Sequence, residues 1–149
     1  MDFAHEAYAN VKDEIKPLLE QHWKEIALHQ DDIKLEPNWD SYAQMASVGS
    51  LRVYTARKSG ELVGYFVVFV MPSLHYRRFM FANNDILFLK KSERKGTAGI
   101  KLIKFAVESL QAENVKLINV NVKKKQDFGP ILERLGFEHV EDHWQLKAN

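Results

Sequence analysis

The chain has 149 residues, a formal net charge of +1 and no cysteine. Hydrophobic residues make up 46% and charged residues 28% of it, the balance of an ordinary globular protein. This composition excludes disulfides, thiolate metal sites and cysteine nucleophiles, and it predicts a single domain over residues 1–149. The near-zero net charge argues against attraction of the whole chain to nucleic acid or to a membrane.

The sequence predicts neither a membrane span nor a signal peptide. The longest apolar run covers residues 65–71 and is far too short to cross a bilayer. The first residues include Asp2, His5 and Glu6, so they lack the basic start and the apolar stretch of a signal peptide. We therefore expect a soluble, cytoplasmic protein with no membrane partner.

The first third of the chain is predicted to be helical. Its apolar residues recur at helical spacing and form one buried stripe: Val11, Ile15, Leu18, Leu19, Trp23 and Ile26. Pro17 lies inside this stretch and should start a new helix or kink the existing one. Residues 3–8 predict a short edge strand or a first helical turn, and residues 39–46 predict a second short helix that ends at Gly49.

The middle of the chain predicts three strands. Residues 51–56 alternate between apolar and polar side chains, and Ser59-Gly60 is a hairpin turn signal. Residues 62–71 are continuously apolar, which is typical of a strand buried on both faces. Residues 79–89 predict the third strand, and they hold two asparagines and Asp85 in otherwise apolar company. The short connections predict an antiparallel meander.

The last part of the chain predicts a crossover and a short terminal hairpin. An amphipathic helix over residues 100–110 is followed by a strand over residues 115–122, which makes a βαβ unit with two parallel strands. Residues 128–135 predict a short helix ended by a glycine, and residues 137–140 and 144–146 predict two terminal strands. The predicted fold class is α+β, a mixed and mostly antiparallel twisted sheet with helices on both faces.

Residues 94–99, Arg-Lys-Gly-Thr-Ala-Gly, lie between a predicted strand and a predicted helix. A helix N-terminus offers unpaired backbone N–H groups and a dipole that favours anions, and glycine lets the backbone approach a diphosphate closely. Four cations add positive charge: Lys90, Lys91, Arg94 and Lys95. The pattern predicts a pyrophosphate site. The alternative is that Gly96 and Gly99 only shape the helix entry and that the lysines are solvated.

This segment resembles a motif of the GNAT superfamily of N-acetyltransferases, R/Q-x-x-G-x-G/A at the start of the helix after the fourth strand. Arg94 matches the first position and Gly99 the last, whereas Thr97 stands at the middle glycine. Residues 132–137, Leu-Glu-Arg-Leu-Gly-Phe, resemble the terminal L/F-Y-E-K-L-G-F segment of the family. The order of the predicted elements is also similar, so the resemblance implies a GNAT-like sheet with its βαβ crossover at the cofactor site.

The resemblance implies an enzyme that moves an acetyl group from acetyl-coenzyme A to a primary amine by direct attack on the thioester. The implied cofactor-binding residues are Leu87, Phe88, Leu89, Arg94, Lys95, Gly96, Thr97, Ala98, Gly99 and Lys125. For Lys125 the alternative is a solvated strand end. The pairs His22-Trp23 and His75-Tyr76 are similar to those of small GNAT proteins often carried by bacteriophages.

Two residues depart from the usual acid–base pair of the family. Leu132 stands where a tyrosine often protonates the leaving thiolate, and Asn83 stands where a glutamate often serves as the base. An amide cannot accept a proton at neutral pH. The departure favours a second interpretation, in which the chain is a GNAT-fold protein that binds coenzyme A without turnover or acts as an interaction or inhibitor module.

Asp85 is the candidate base in place of the missing glutamate. Alternation in a regular strand predicts that one face carries Asn83, Asp85, Leu87 and Leu89. A half-buried carboxylate has a raised pKa, which suits a base that takes a proton from an ammonium acceptor. The alternatives are that Asp85 caps a turn or pairs with Arg77 or Arg78, or that a bulge changes the face to which it points.

His75 and Tyr76 are further candidates for proton transfer, because they follow a long apolar strand at a point where a pocket could open. Together with Trp39 and Tyr42 they are expected to line the acceptor pocket, although a turn that faces water is the alternative. The acceptor stays open among a protein lysine, a protein N-terminus, a small amine, an antibiotic and a modified base. A homodimer stays open as well.

Two further classes of site have little support in the sequence. His139 and His143 lack a metal-ligand arrangement, so no metal is expected. Lysine clusters at residues 90–95 and 123–125 are the only argument for a nucleic-acid-binding domain, and no DNA- or RNA-binding motif accompanies them.

Overall fold

The computed structural model describes all 149 residues and contains one five-stranded sheet. Its strands are β1 (Asp2–Glu6), β2 (Leu51–Lys58), β3 (Glu61–Pro72), β4 (Met80–Leu89) and β5 (Val115–Asn119). The strands lie side by side in chain order. Among the first four strands each neighbouring pair is antiparallel, whereas β5 runs parallel to β4. The predicted mixed sheet with one parallel pair is therefore confirmed.

Four helices cover the two faces of this sheet. They are α1 (Tyr8–Ile26), α2 (Trp39–Ser47), α3 (Ala98–Ala112) and α4 (Gly129–Arg134), with single 3-10 turns at Lys91–Glu93 and Lys124–Gln126. Helices α1 and α2 pack on one face through the first core cluster, and α3 packs on the other face through the second. None of the helices combines the length and the apolar character needed to cross a bilayer.

Strand β3 contributes to both cores, which explains its continuous apolar run. Tyr65 and Val67 belong to the core under α1 and α2, whereas Phe66 and Val68 belong to the core under α3. Successive side chains of a strand point to opposite faces, so a strand covered on both sides needs apolar residues at every position. The prediction of a central strand buried on both faces is confirmed for residues 62–70, whereas Met71 is 44% exposed.

Two turns follow from residues that tolerate a left-handed backbone. Ser59 and Gly60 both have positive φ, 50° and 84°, as a two-residue hairpin of the primed type requires. Gly136 has a φ of 88° directly after α4. There the Gly136 amide donates to Glu133 at 3.1 Å and the Phe137 amide to Leu132 at 3.0 Å. This pair of bonds is a Schellman motif, and it ends the helix where the sequence predicts.

Three details differ from the sequence-based expectations. No new helix starts at Pro17, since α1 runs through it as one helix and Ile15 and Leu18 bury the apolar stripe on both sides of the proline. Strand β5 ends at Asn119 rather than at residue 122. Residues 137–149 form no strand, and Trp144 is 89% exposed, because charged residues interrupt the apolar positions and leave too little to bury.

A bulge divides β4 into two halves. Val67 of β3 pairs with Ile86, and the next residue, Val68, pairs with Asn84, so Asp85 has no partner in the ladder. Strand β5 pairs only with the first half of β4, up to Asn83. The second half of β4 therefore has β3 on one side and no strand on the other.

The Asn84 side chain fixes the point where β4 and β5 part. Its Oδ1 accepts a hydrogen bond from the Asn121 amide at 2.8 Å, and its Nδ2 donates to the Asn121 carbonyl at 3.4 Å. The side chain thus takes the place of the next ladder bonds. Beyond it, the β4 edge that faces away from β3 has no strand partner.

Candidate functional site

Six consecutive amides at the start of α3 have no backbone acceptor. The first internal bond runs from the Lys101 amide to the Thr97 carbonyl at 3.0 Å, and the N–H groups of residues 95–100 donate to no carbonyl of the chain. The residue before the helix, Thr97, provides no side-chain cap either. Unpaired N–H groups at the positive end of a helix dipole form an anion site.

Gly96 and Gly99 are not required by the backbone of the chain itself. Neither has a positive φ. A Cβ added at Gly96 would meet no atom within 4 Å, and one at Gly99 would meet only the end of the Leu89 side chain at 3.8 Å. The helix entry therefore needs no glycine for its own geometry. Small residues here leave room for a ligand to approach the amides.

The cations around this loop differ in whether their charge is already paired within the chain. Arg94 donates from Nε to the Leu89 carbonyl and pairs with Glu25 of α1, both at 2.7 Å. Its guanidinium also lies 5.8 Å from the Phe88 ring centre. Arg94 therefore ties the loop to β4 and α1 by its side chain, and its charge is already paired.

The lysines of this region are less engaged. Lys90 pairs with Glu61, whereas Lys91 and Lys95 are exposed on the loop. Lys125 is exposed in the 3-10 turn that follows β5. These exposed ammonium groups supply the positive charge that remains available to an anion.

The three residues at the end of β4 point in different directions. Phe88 is buried under α1, and Leu87 belongs to the core under α3. The Leu89 side chain lies against Gly64 and Gly99. On the edge that β5 leaves unpaired, what these residues offer a ligand is backbone groups, apart from the Leu89 carbonyl, which accepts from Arg94.

His22 of α1 is a buried residue near this end of the sheet that sequence reasoning did not assign to the site. Its ring lies 5.2 Å from that of Phe88, and 6% of the residue is exposed. Burial lowers the pKa of His22 to about 4, with Arg94 and Lys123 lowering it further and Glu25 opposing them. The ring is therefore neutral at physiological pH.

Asp85 and Tyr42 form a hydrogen-bonded pair on the sheet face under α2. The Tyr42 hydroxyl donates to Asp85 Oδ2 at 2.5 Å. Burial raises the pKa of Asp85, and the hydrogen bond from Tyr42 partly offsets this. Burial and the neighbouring carboxylate raise the pKa of Tyr42, so its hydroxyl stays protonated. The Oδ1 atom of Asp85 accepts no hydrogen bond from the chain and can accept one from a ligand.

The bulge corrects the predicted face of Asp85. Asp85 lies on the α2 side with Asn83, as expected, but the extra residue reverses the alternation after it. Leu87 therefore points to the α3 side, and Leu89 follows it by alternation. Asp85 pairs with neither of the two arginines considered as its partners, because Tyr42 holds it.

Aromatic rings surround the Tyr42 side chain. Its ring centre lies 6.2 Å from that of Tyr8, 6.0 Å from that of Trp39 and 6.4 Å from that of Phe69. A narrow crevice under these rings is wholly apolar and is also lined by Ile86, next to Asp85. The structure thus brings Trp39, Tyr42 and Asp85 together. Such a dry surrounding strengthens the interaction of Asp85 with a bound cation.

Trp39 also borders an open cleft of about 480 Å³ between α1 and the segment that leads into α2. The cleft is lined by Lys16, Leu19, Glu20, Trp23, Lys34, Leu35, Pro37 and Trp39. The Lys16 ammonium lies 5.4 Å from the Trp39 ring centre, so this ring face can accept a cation.

His75 and Tyr76 lie far from Asp85. They belong to the exposed loop between β3 and β4, at the end of β4 opposite to residues 94–99. Tyr76 is 58% exposed and packs against Phe81, with ring centres 6.1 Å apart. From Met80 to Asp85 the strand alone spans roughly 17 Å. Neither side chain therefore joins the Asp85–Tyr42 pair.

The two positions that depart from the usual acid–base pair have structural roles. Leu132 is 7% exposed and packs as an apolar residue in α4. Asn83 accepts a hydrogen bond from the Asn119 side chain at 3.1 Å, which links β4 to β5. No group of three or more His, Asp or Glu side chains is arranged to hold a metal ion.

Comparison with known proteins identifies the fold. No protein-family model matches the chain, and no curated protein matches it in sequence. Among solved structures, an aminoglycoside acetyltransferase from an uncultured soil metagenomic sample, in complex with sisomicin, matches with a TM-score of 0.75 at 14% identity. The match covers 99% of this chain and 96% of that one.

Two further structures match over almost their whole lengths. A ribosomal-protein-alanine N-acetyltransferase from Brucella melitensis biovar Abortus 2308 has a TM-score of 0.73 at 14% identity, covering 99% of both chains. A predicted acetyltransferase with acetyl-CoA from Clostridium acetobutylicum has a TM-score of 0.71 at 11% identity, covering 98% of this chain and 95% of that one. The chain thus has the fold of GNAT acetyltransferases. These structures lend no support to the closer likeness to phage-carried proteins.

Proposed function

We propose that this protein is an acetyl-CoA-dependent N-acetyltransferase that acts on a primary amine. The observation that carries the proposal is the run of unpaired amides at residues 95–100, which follows the end of the β4 edge that β5 leaves unpaired. An anion site at one end of an open strand edge, with a half-buried carboxylate at the other, suits a long cofactor with a diphosphate at one end and a reactive group at the other.

The residues present fit such a cofactor. The amides of residues 95–99 would hold the diphosphate, with Lys95 and Lys125 as exposed cations near it. The unpaired edge of β4 offers backbone groups to the amides of the pantetheine arm. Acetyl-CoA supplies a thioester, whose carbonyl carbon a neutral amine can attack.

Asp85 is the residue that prepares the amine. A primary amine arrives mostly as an ammonium ion, and its nitrogen has no lone pair until a base removes a proton. The free Oδ1 of Asp85 can accept that proton, and the raised pKa of this half-buried carboxylate brings its basicity closer to neutrality. Tyr42 holds the carboxylate in place and lends its oxygen lone pairs to the same ammonium.

The experiment that tests the proposal combines binding with product detection. Saturating acetyl-CoA should raise the unfolding free energy by about 2.7 kcal/mol at a hundredfold excess over Kd, whereas NAD and ATP should not. Intact-mass analysis with a panel of amines should show an added acetyl group on at least one acceptor. A melting curve that coenzyme A leaves unmoved, but that another nucleotide shifts, would refute the assignment.

The second candidate is a protein that binds coenzyme A without turnover or acts as an interaction module. The observation in its favour is Leu132, a buried apolar residue where a proton donor for the leaving thiolate is usual. A thiolate is a good leaving group that solvent can protonate, so this loss alone does not prevent transfer. Stabilisation by coenzyme A without any acetylated product would favour this second candidate.

A further inference from the structure

Three apolar side chains, two of them exposed and one partly exposed, form a row across one end of the sheet, on the face that carries Asp85. Met71 of β3 pairs with Phe81 of β4, and Phe81 pairs with Leu117 of β5. Paired residues of neighbouring strands point to the same face, so the three side chains are neighbours. Met71 is 44% exposed and Leu117 is 50% exposed, so α1 and α2 leave both ends of the row open, whereas Phe81 between them is partly buried with the Tyr76 ring centre 6.1 Å from its own.

A second row connects the apolar row to Asp85. Asn83 of β4 pairs with Asn119 of β5, and their side-chain amides are hydrogen-bonded at 3.1 Å. Both residues are exposed. Along β4 the order is therefore Phe81, Asn83 and Asp85, and this distance of four residues amounts to about 13 Å. We call the surface from Met71, Phe81 and Leu117 through Asn83 and Asn119 the acceptor track.

The outer end of the acceptor track is positively charged. Arg77 and Arg78 are exposed in the adjoining loop, and the Lys116 ammonium lies 5.4 Å from the Phe79 ring. Residues 62–84 contain no aspartate or glutamate. The cations therefore have no acidic neighbour within their own segment, and they favour a ligand with negative charge at this end.

The length and the chemistry of the track favour a polypeptide. A small amine needs only Asp85 and Tyr42, and it leaves both rows unused. An extended peptide advances about 3.3 Å per residue, so it spans the 13 Å between Asp85 and the apolar row in about four residues. Side-chain amides such as those of Asn83 and Asn119 can pair with peptide backbone groups.

We propose that the amine acceptor is a polypeptide that lies extended along the acceptor track. Its free amine is at Asp85, an apolar side chain about four residues away lies on the row of Met71, Phe81 and Leu117, and acidic side chains beyond it meet Arg77 and Arg78. This proposal rests on the proposed acetyl transfer and adds the class of acceptor to it.

The test compares matched peptides with a small amine. The first peptide has a free N-terminal amine, a phenylalanine about four residues along and glutamates after it. The second replaces the phenylalanine by serine, the third replaces the glutamates by lysines, and the small amine is alaninamide. The first peptide should be acetylated with a kcat/KM at least about tenfold above each of the others. Equal kcat/KM values for alaninamide and the first peptide would overturn the proposal.

Two variants locate the effect on the track. Leu117→Ser should lower kcat/KM for the phenylalanine peptide several-fold, and Arg78→Glu should reverse the preference for glutamate over lysine. Both should leave kcat/KM for alaninamide unchanged. The matched control is Lys12→Glu, the same charge change at an exposed position of α1. Variants that slow the peptides and alaninamide alike, or a control that acts like Arg78→Glu, would count against the track.

Failure of the proposed transfer can be told apart from failure of the track. If no amine is acetylated, the transfer fails, and direct binding of the fluorescein-labelled first peptide then tests the track alone. Weaker binding to Arg78→Glu and Leu117→Ser than to Lys12→Glu would support a polypeptide ligand. Equal binding to all three variants, or tighter binding of a single-stranded RNA that displaces the peptide, would overturn it.

Discussion

The loop before α3 and the middle of β4 offer their ligands two different kinds of group. The loop presents backbone N–H groups of six successive residues, whose positions depend on where one helix begins. The middle of β4 presents two side chains, Asp85 and Tyr42, that come from elements 43 residues apart. A backbone site tolerates side-chain changes as long as a ligand can approach, whereas a site of two side chains changes its chemistry when either one is substituted.

The largest expected effect comes from blocking the approach to the loop. Gly99→Glu should abolish acetyl-CoA binding, because it places a bulky anion where the phosphates approach the amides. The variant should stay folded, since a Cβ at this position meets only the Leu89 side chain at 3.8 Å. Isothermal titration measures the affinity, and circular dichroism checks the fold.

Gly99→Ala is the matched control for this change. It adds the same Cβ without charge or bulk, so the affinity should fall by less than about tenfold. If folded Gly99→Glu protein binds acetyl-CoA normally, the anion site lies elsewhere and the contrast between the two regions disappears.

The next effect concerns the carboxylate in the middle of β4. Asp85→Asn should lower kcat by roughly a hundredfold while acetyl-CoA affinity stays nearly intact, because asparagine still accepts from Tyr42 but cannot take a proton. In the native enzyme kcat/KM should rise with pH through a pKa above the usual range of aspartate. Stopped-time assays across a pH series give both results.

The same substitution has a second readout in stability. Burial raises the pKa of Asp85, so its contribution to stability is present at low pH and is lost as the pH rises through the folded-state pKa. At neutral pH Asp85→Asn removes a buried charge, and the melting temperature should not fall. A variant that loses stability and cofactor affinity together would mark Asp85 as a structural residue.

The sequence allows the loop to be predicted more readily than the Asp85–Tyr42 pair, for a physical reason. The strand, the glycines and the helix start of the loop are local in sequence, so composition and periodicity predict where they lie. The contact of Asp85 with Tyr42 depends on a bulge in β4 and on how α2 packs. Neither the bulge nor the packing follows from local pattern, and the alternation rule therefore gave the wrong face for Leu87.

Local sequence pattern is an equally weak guide to the structure and the place of residues at the ends of strands. The sequence places His75 and Tyr76 after an apolar strand, but it does not show how far they lie from Asp85, because only the topology decides at which end of the sheet a loop lies. Short apolar stretches predict terminal strands over residues 137–140 and 144–146. Such short segments need a partner strand to become regular, and the structure provides none.

A smaller effect is expected when the hydrogen bond to Asp85 is removed. Tyr42→Phe keeps the ring between Tyr8 and Phe69 but removes the donor that lowers the pKa of Asp85. The acidic limb of the kcat/KM profile should move to higher pH, with a loss of roughly tenfold at neutral pH. Activity should recover toward the native value at alkaline pH. A loss that is equal at every pH would instead mean that Tyr42 itself takes part in proton transfer.

The smallest expected effects follow from substituting His22. They test whether acetyl-CoA binding at residues 95–100 depends on backbone groups alone. His22 is buried beside Phe88, near Arg94 and Lys123, and burial lowers its pKa to about 4 from the ordinary 6.5. The unfolded chain therefore binds the proton more readily, so the unfolding free energy should fall as the pH drops from 6.5 toward 4.

His22→Phe keeps a ring against Phe88 but removes this titration, so urea unfolding should lose less free energy between pH 7 and pH 5 than in the native protein. The control His143→Gln changes an exposed histidine and should follow the native protein. Acetyl-CoA affinity of His22→Phe should stay within about threefold of native, because the amides of residues 95–100 are untouched. A much weaker affinity in a folded His22→Phe protein would show that a buried side chain, and not the amides alone, determines cofactor binding at this end.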